Sequence, residues 1–339
     1  MNTNIFTNST VLITGGTGSW GQELTKQLLE LGVCQILIFS RGEIAQVAMQ
    51  RKFCNSRIEF IIGDIRDFNA LHEILHNHKV DFIFHLAALK HVPICENQPL
   101  EAIKTNINGT INIIQCAIRY KVKKFIAVST DKAVDPSNLY GMTKAVEERL
   151  VIHANCQTKT TEFICIRGGN VLGSNGSIIP YVIEQIKETN RVKVTDDTMT
   201  RFFLTLSKAV KLLLFAAEEG VGGETYVMNM PSFRLIDLIT SLIDCYGNQH
   251  TKIDLIGIRE GEKIHEVLIS NHELSRTSYV NDNYFVIYPA ICTGRNYGNH
   301  IWEHFDFKVA HKITKELSSK DDVKSIEFLE NVLIEEGHK

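Results

Sequence analysis

The chain has 339 residues, 44% of them hydrophobic and 22% charged, with a formal net charge of −3, enough apolar material for a large core in one big domain or two interleaved ones. The near-neutral balance gives no electrostatic footprint for nucleic acid, and no dense Lys/Arg run is present to hold the chain on an acidic membrane. No stretch of about 18 apolar residues occurs, and the opening MNTNIFTNSTVLITGG lacks a basic segment leading into a long apolar one, so the expectation is a cytoplasmic protein, neither secreted nor membrane-spanning.

In chain order, short β-rich runs alternate with longer helical patterns. TVLITGG (10–16) leads into a helix over 19–32, QILIFS (35–40) into a helix over 43–53, and IEFIIGD (58–64) into a helix over 67–78. DFIFHLAA (81–88) precedes a long helix over 99–120, and KFIAVST (124–130) a helix over 140–156, after which EFICIRGGN (162–170) closes the series. Near-continuous apolar strands separated by helices describe a parallel sheet covered on both faces, a Rossmann-like doubly wound α/β fold. Beyond 170 the rhythm is irregular: a helix over 179–189, strands around 192 and 225, a helix over 234–246 and a short βα pattern over 252–269. The expected division is therefore 1–170, with segments returning from about 200–230, and 171–339, mainly a smaller α/β substrate-binding lobe with a C-terminal helical tail. The amphipathic tail over 311–336 fits a docking helix, an oligomer contact or a solvated surface helix. Eight cysteines without a CxxC pair read as reduced, buried thiols.

TGGTGSWG sets Gly15, Gly18 and Gly21 directly after the first strand and at the opening of a helix. A tight turn, close backbone approach to a pyrophosphate and a helix N-terminus rich in N–H donors are what a dinucleotide needs there, with Thr17, Ser19 and Trp20 completing the turn. At the end of the second strand, Ser40 and Arg41 suit a 2′-phosphate, which favours NADP; the alternative leaves Arg41 in solvent and gives the ribose to Glu43. Asp64 and Ile65, after the third strand, are candidates for the adenine edge, although an Asp there is also a common helix cap. No His/Cys/Asp cluster has metal-ligand spacing, so no metal is expected.

STDKAVDPSNLYGMTK (129–144) follows the fifth apolar strand, at the carboxyl edge where doubly wound sheets bind ligands. Tyr140 and Lys144 lie four apart and share a helix face if a helix begins near Tyr140. An ammonium beside a phenol favours the phenolate, a base able to take a hydroxyl proton as hydride leaves for a nicotinamide; Thr130 stands ten residues upstream. Asp131 and Lys132 would point to opposite sides of an extended segment, so the chain must bend if both are to reach one substrate.

Together with HLAALKHVP and GNVLGSNGSIIP, these motifs resemble the extended short-chain dehydrogenase/reductases. More narrowly, STDKAVDPSNLYGMTK, ALKHVPICENQPLEAIKTNINGT, TRFFLTL and IREGEKIHEVLIS resemble the UDP-N-acetylglucosamine 4,6-dehydratases that invert carbon 5, in register from about residue 8 to 290. The resemblance implies an NADP enzyme that oxidises carbon 4 with Tyr140 as base and Lys144 assisting, removes the carbon 5 proton with Lys132, protonates the leaving carbon 6 hydroxyl with Asp131, and returns hydride to carbon 6. It implies cofactor contacts at Ala87, Ala88 and Lys90, UDP-sugar contacts at Lys90, His91, Asn170, Arg201, Arg259 and Glu262, and Asn106 bracing the fifth-strand segment. Arg259 is the first candidate for a diphosphate clamp and Arg201 the second. It further implies a homo-oligomer, a dimer through the fourth and fifth helices or a hexamer. Three positions depart from the family pattern: Gly168 stands where a tyrosine is usual, Gly42 where an aspartate is, and Met142 where a small residue is. The loss of the ring at 168 is expected to enlarge the pocket. A carbon-5-retaining or 5,6-ene-forming dehydratase, a 4-epimerase with no use for the Asp131–Lys132 pair, and a silent NADP-binding scaffold are the competing readings.

Overall fold

In the computed structural model, residues 4–174, 176–290 and 313–338 are described. Seven parallel strands form the body of the main sheet: β1 (Thr10–Thr14), β2 (Gln35–Ser40), β3 (Ile58–Ile62), β4 (Phe82–His85), β5 (Lys124–Thr130), β6 (Glu162–Gly168) and β10 (Thr225–Met228). Their order is β3-β2-β1-β4-β5-β6-β10, and the strand direction of winding reverses between β1 and β4. That reversal opens the crevice in which open α/β sheets take ligands. Beyond β10 the hairpin β14 (Thr277–Asn281) and β15 (Tyr284–Ile287) adds two antiparallel strands at the edge.

Helices cover both faces because the strands are apolar on both. One core gathers Val11, Ile13, Ile38, Phe84 and Ile126 under α1 (Ser19–Glu30) and α9 (Leu206–Glu219); the other gathers Leu12, Leu37, Ile83, Phe125 and Phe163. The second core lies under α3 (Phe68–Asn77), α6 (Gly109–Arg119) and α7 (Leu139–Gln157). A third, separate core belongs to the smaller lobe, where α8 (Ile178–Thr189) and α10 (Leu235–Tyr246) enclose Val182, Val194, Phe203, Phe233 and Leu238. Its strands are β7 (Asn170–Val171), β9 (Thr200–Leu204) and β11 (Ser232–Arg234) in one sheet, with β8 (Arg191–Val194) beside β12 (Lys252–Leu255) in another. Arg167 at the end of β6 ties the parts together: fully buried, it donates to Glu148 at 2.7 and 3.0 Å and to Glu273 at 3.0 Å.

Several elements differ from the sequence expectation. The helix over 99–120 is interrupted: α5 (Pro99–Ile103) passes through a π turn, Lys104–Asn108, before α6, and a further helix, α4 (Val92–Asn97), precedes it. The βα pattern over 252–269 is instead strand β12, an irregular segment and strand β13 (Val267–Ile269), which pairs with Leu317–Ser318. Among the described residues of the tail only Ile326–Glu335 is helical; it buries Leu329 and Leu333 in the third core, so this helix docks within its own chain. Residues 311 and 312 lie outside the described residues. Of the cysteines, Cys95, Cys116 and Cys165 are buried thiols, whereas Cys34 and Cys54 are exposed, each just past the end of a helix; Cys292 lies outside the described residues. Among the described residues no helix is long and apolar enough to cross a membrane.

Candidate active site

A cleft of about 1050 Å³ runs along the carboxyl edge of the main sheet and ends against the smaller lobe. Gly15, Thr17, Gly18, Ser19, Trp20 and Gly21 form its first wall. Gly15 has φ +68°, and a Cβ there would stand 2.8 Å from the backbone of Ala87, so the β1 turn and the end of β4 touch as only glycine allows. Gly18 caps α1 without a side chain, leaving the first turn of the helix open to an anion. Ser40, Arg41, Asp64, Ile65, Ala87, Ala88, Lys90 and His91 continue the lining. Ser40 is set by Gln46, whose amide donates to its hydroxyl and carbonyl at 3.0 Å. Asp64 is clasped by Arg66 at 2.6 and 2.8 Å, with Arg41 at 3.9 Å; burial works against its charge, but the Arg66 hydrogen bonds prevail and hold the carboxyl below its usual range. Glu43, the alternative ribose partner, opens α2 (Glu43–Phe53) and is not part of the lining, whereas Arg41 is.

At the far end of β5 the chain bends as the adjacent Asp131 and Lys132 require, into a single 3₁₀ turn, Asp131–Ala133. Thr130 donates to Asp131 Oδ1 at 2.8 Å, and Lys132 Nζ lies 3.1 Å from the same oxygen. Lys132 also lies 3.5 Å from Glu266 Oε1, on the far lobe, which Arg201 Nε approaches at 3.7 Å. Burial opposes the Lys132 ammonium, but the charges of Asp131 and Glu266 outweigh it and raise its pKa above the ordinary lysine value. The next helix presses on this turn: a Cβ at Gly141 would sit 2.1 Å from the Lys132 carbonyl oxygen. Asn138 caps α7 by accepting from the Gly141 N–H, and Ser137 and Asn138 both donate to the Gly261 carbonyl, so the turn is stitched to the 259–262 loop.

Lys132, Thr130, Tyr140, Lys144, Asn170, Arg201, Arg259 and Glu262 all line the cleft. Asp131 does not: it is fully buried behind the floor, with Oδ2 lacking a hydrogen-bond partner among the described residues. Arg201 is engaged by the carbonyls of Thr200 and Ile264 at 2.8 and 2.9 Å, while Arg259 is half-exposed with Glu262 at 3.9 Å. Asn170 donates to the Phe202 carbonyl at 3.3 Å. Asn106 braces a different segment from the one expected. It accepts from the Leu89 N–H and donates to the Leu89 carbonyl and to Thr143, clamping the end of β4 to α7 rather than β5.

The departure at 168 also falls differently from expectation. Position 168 is absent from the lining, and a Cβ there would meet Met228 Sδ at 3.1 Å; methionine occupies the room, so the cleft is not enlarged at that point. Met142 is exposed on the outer face of α7. Two acidic residues were not singled out from the sequence: Glu266, and Glu147, which lies fully buried 2.6 Å from Lys144 Nζ. Glu147 had a sequence signal, its i,i+3 spacing from Lys144 on one helix; Glu266 had none, since its partners come from distant segments.

This arrangement combines, in one cleft, an open helix N-terminus, a phenol with a neighbouring ammonium, and a lysine ammonium paired with a carboxylate buried behind the floor. Comparison with known proteins agrees with it. The model of the family described as polysaccharide biosynthesis protein matches residues 11–288. A UDP-N-acetylglucosamine 4,6-dehydratase (inverting) of Campylobacter jejuni is 42% identical over 291 residues, 85% of each chain. A UDP-glucose 4-epimerase of Rickettsia canadensis is 40% identical over 286 residues, 83% of each chain. The X-ray structure of Pen from Bacillus thuringiensis superposes with a TM-score of 0.89 at 35% identity, covering 99% of this chain and 100% of that one.

Proposed function

The chain belongs to the polysaccharide biosynthesis protein family, and from that premise we propose that it is an NADP-dependent nucleotide-sugar dehydratase. Its substrate on this reading is UDP-N-acetylglucosamine and its product a UDP-4-keto-6-deoxy sugar inverted at carbon 5. The observation that carries the reading is the 3.1 Å contact by which Lys132, on the cleft lining with Tyr140, meets Asp131 buried behind it.

A dinucleotide fits the first half of the cleft: the Gly15 turn lies against Ala87, and the buried hydroxyl of Ser129 faces the lining without a hydrogen-bond partner among the described residues. Gly15 to Gly21 would hold the pyrophosphate, Ser40 and Arg41 the adenosine end, and Tyr140 and Lys144 the nicotinamide end. When bound, that group accepts hydride from carbon 4 and gives it back to carbon 6. The chain's own work is proton transfer. Tyr140 takes the carbon 4 hydroxyl proton. A proton passing from Lys132 to Asp131 within the ion pair creates a neutral amine and a carboxylic acid with no change in net charge. The amine then takes the carbon 5 proton, made acidic by the ketone beside it. The acid's proton leaves through Thr130, which lines the cleft as Asp131 does not, and reaches the departing carbon 6 hydroxyl. Lys132 ends as ammonium and Asp131 as carboxylate, the pair from which the cycle began; the proton released by Tyr140 balances the one that returns to carbon 5. Arg259, half-exposed at the cleft rim, is suited to the diphosphate. The exposed apolar side chains Leu100, Ile103, Met142 and Val146 on α5 and α7 support a homodimer through those helices.

A second reading, a UDP-sugar 4-epimerase, is favoured by the withdrawal of Asp131 from the cleft and by the Rickettsia relative. Mass spectrometry of UDP-N-acetylglucosamine after incubation separates the two. Loss of one water supports the dehydratase, and a product of unchanged mass supports the epimerase. The cofactor assignment carries its own expectation. Arg41→Ala should weaken NADP binding about tenfold to a hundredfold, the weight of one charge-assisted phosphate contact, and leave NAD binding unchanged in a fluorescence titration. Equal losses for both dinucleotides would contradict the 2′-phosphate role.

A further inference from the structure

We propose that Glu147 is a positioning residue that holds Lys144 in a neutral buried pair and so fixes the pH at which Tyr140 can act as a base. This inference rests on the reading of Tyr140 as that base.

Residues 140, 144 and 147 fall on one face of α7. Lys144 Nζ is 2.6 Å from Glu147 Oε1, and both side chains are almost wholly buried. The other Glu147 oxygen has no hydrogen-bond partner among the described residues, so its charge is answered by Lys144 alone. Neighbouring groups do not disturb this balance. From β4, His85 lies between the hydroxyls of Thr14 and Thr110 and stays neutral, its pKa pushed down to about 3 by burial and by Lys144. From β6, Cys165 stays a thiol, pushed well up by burial. Glu148, next on α7, is answered by Arg167. From the β5 turn, Asp131 and Lys132 answer each other, with Glu266 and Arg201 beyond them.

What remains is a triad of phenol, ammonium and carboxylate. With Tyr140 protonated its net charge is zero; ionising Tyr140 leaves a buried net charge of minus one, which a low-dielectric surrounding disfavours. Burial raises the Tyr140 pKa, Lys144 and Lys132 oppose that, and Glu147 adds to it. Lys144 is thus prevented from lending its full charge to the phenolate. Removing the Glu147 charge reverses the preference, because phenolate beside ammonium becomes a neutral state. Since Tyr140 must discharge its proton in each turnover, its acidity sets the acid limb of the rate profile.

The test is a near-ultraviolet phenolate titration of the whole protein without substrate, taking the difference between each protein and its Tyr140→Phe counterpart to isolate one of the nine tyrosines. Glu147→Gln, which keeps the size and can still accept from Lys144, should titrate Tyr140 at lower pH by about one unit, the scale of losing one nearby buried charge. The acid limb of kcat/KM should move down with it; Glu147→Ser, should Gln not fold, is expected to do the same. An unmoved titration in a folded variant overturns the inference while leaving Tyr140 as the base. Undiminished turnover of Tyr140→Phe overturns the base assignment and the inference with it.

Discussion

Lys132→Ala should lower the rate of water loss from UDP-N-acetylglucosamine by about a hundredfold to ten-thousandfold, the range in which a positioned proton-transfer group acts. Lys132 is the cation nearest Asp131, at 3.1 Å, and the one that joins it to Glu266, at 3.5 Å. On the proposed mechanism its removal takes away the base and also breaks the proton exchange that arms Asp131. Oxidation at carbon 4 needs neither, so the reduced dinucleotide should accumulate during incubation with substrate, visible in its near-ultraviolet absorbance. A 4-epimerase would behave otherwise: with no use for the pair, the variant would keep its turnover. Because the substitution leaves two buried carboxylates short of a counter-charge, a loss of stability is expected as well. Lys132→Met in an Asp131→Asn background, which removes both charges, separates that loss from the chemical one.

Tyr140→Phe is expected to cost about as much, a hundredfold to ten-thousandfold in kcat, but with a different signature. The variant cannot take the carbon 4 proton, so neither reduced dinucleotide nor dehydrated sugar should form. Its fold should be retained, since among the described residues no hydrogen bond holding α7 in place runs through the phenol: Asn138 caps the helix, and the Tyr140 backbone carbonyl accepts from Thr143 at 2.8 Å. Reduced dinucleotide appearing at the wild-type rate in this variant would remove Tyr140 from the base role. The contrast between the two variants, one stalled after oxidation and one before it, places the two proton transfers in order.

Much of the main sheet and its covering helices was legible in the sequence because its signal is local. The apolar run KFIAVST is β5 from Lys124 to Thr130, and the pattern from 43 to 53 is α2, since a strand buried on both faces and a helix between turn residues each carry their own period. Less legible were features that depend on partners elsewhere. The helix over 99–120 carries no Pro or Gly at Lys104–Asn108 to announce the π turn, yet its residue Asn106 is turned to clamp Leu89. The run TRFFLTLSKAVKLLLFAAEE was not divided into strand and helix: its apolar residues are too continuous for period alone to mark Thr205 as the cap between β9 and α9. The edge hairpin β14–β15 has a readable turn in NDN (281–283), but its antiparallel place at the sheet edge depends on pairing with β10. At the site itself, the spacing of Tyr140 and Lys144 was plain, but the burial of Glu147 beside them and the reach of Glu266 across to Lys132 are products of packing. The room at Gly168 was misjudged for the same reason, since Met228 fills it from a strand far along the chain.

The most direct test of the dehydratase reading is to incubate the purified protein with UDP-N-acetylglucosamine in deuterated water, adding no dinucleotide, and to follow the sugar by proton NMR. The expected result is a carbon 6 methyl signal together with deuterium at carbon 5. A methyl would report water loss with hydride returned to carbon 6 by a dinucleotide recycled within each turnover, and deuterium would report exchange at the carbon from which Lys132 is proposed to take the proton. A product that keeps its carbon 6 hydroxyl, or vinyl signals without a methyl, would contradict it.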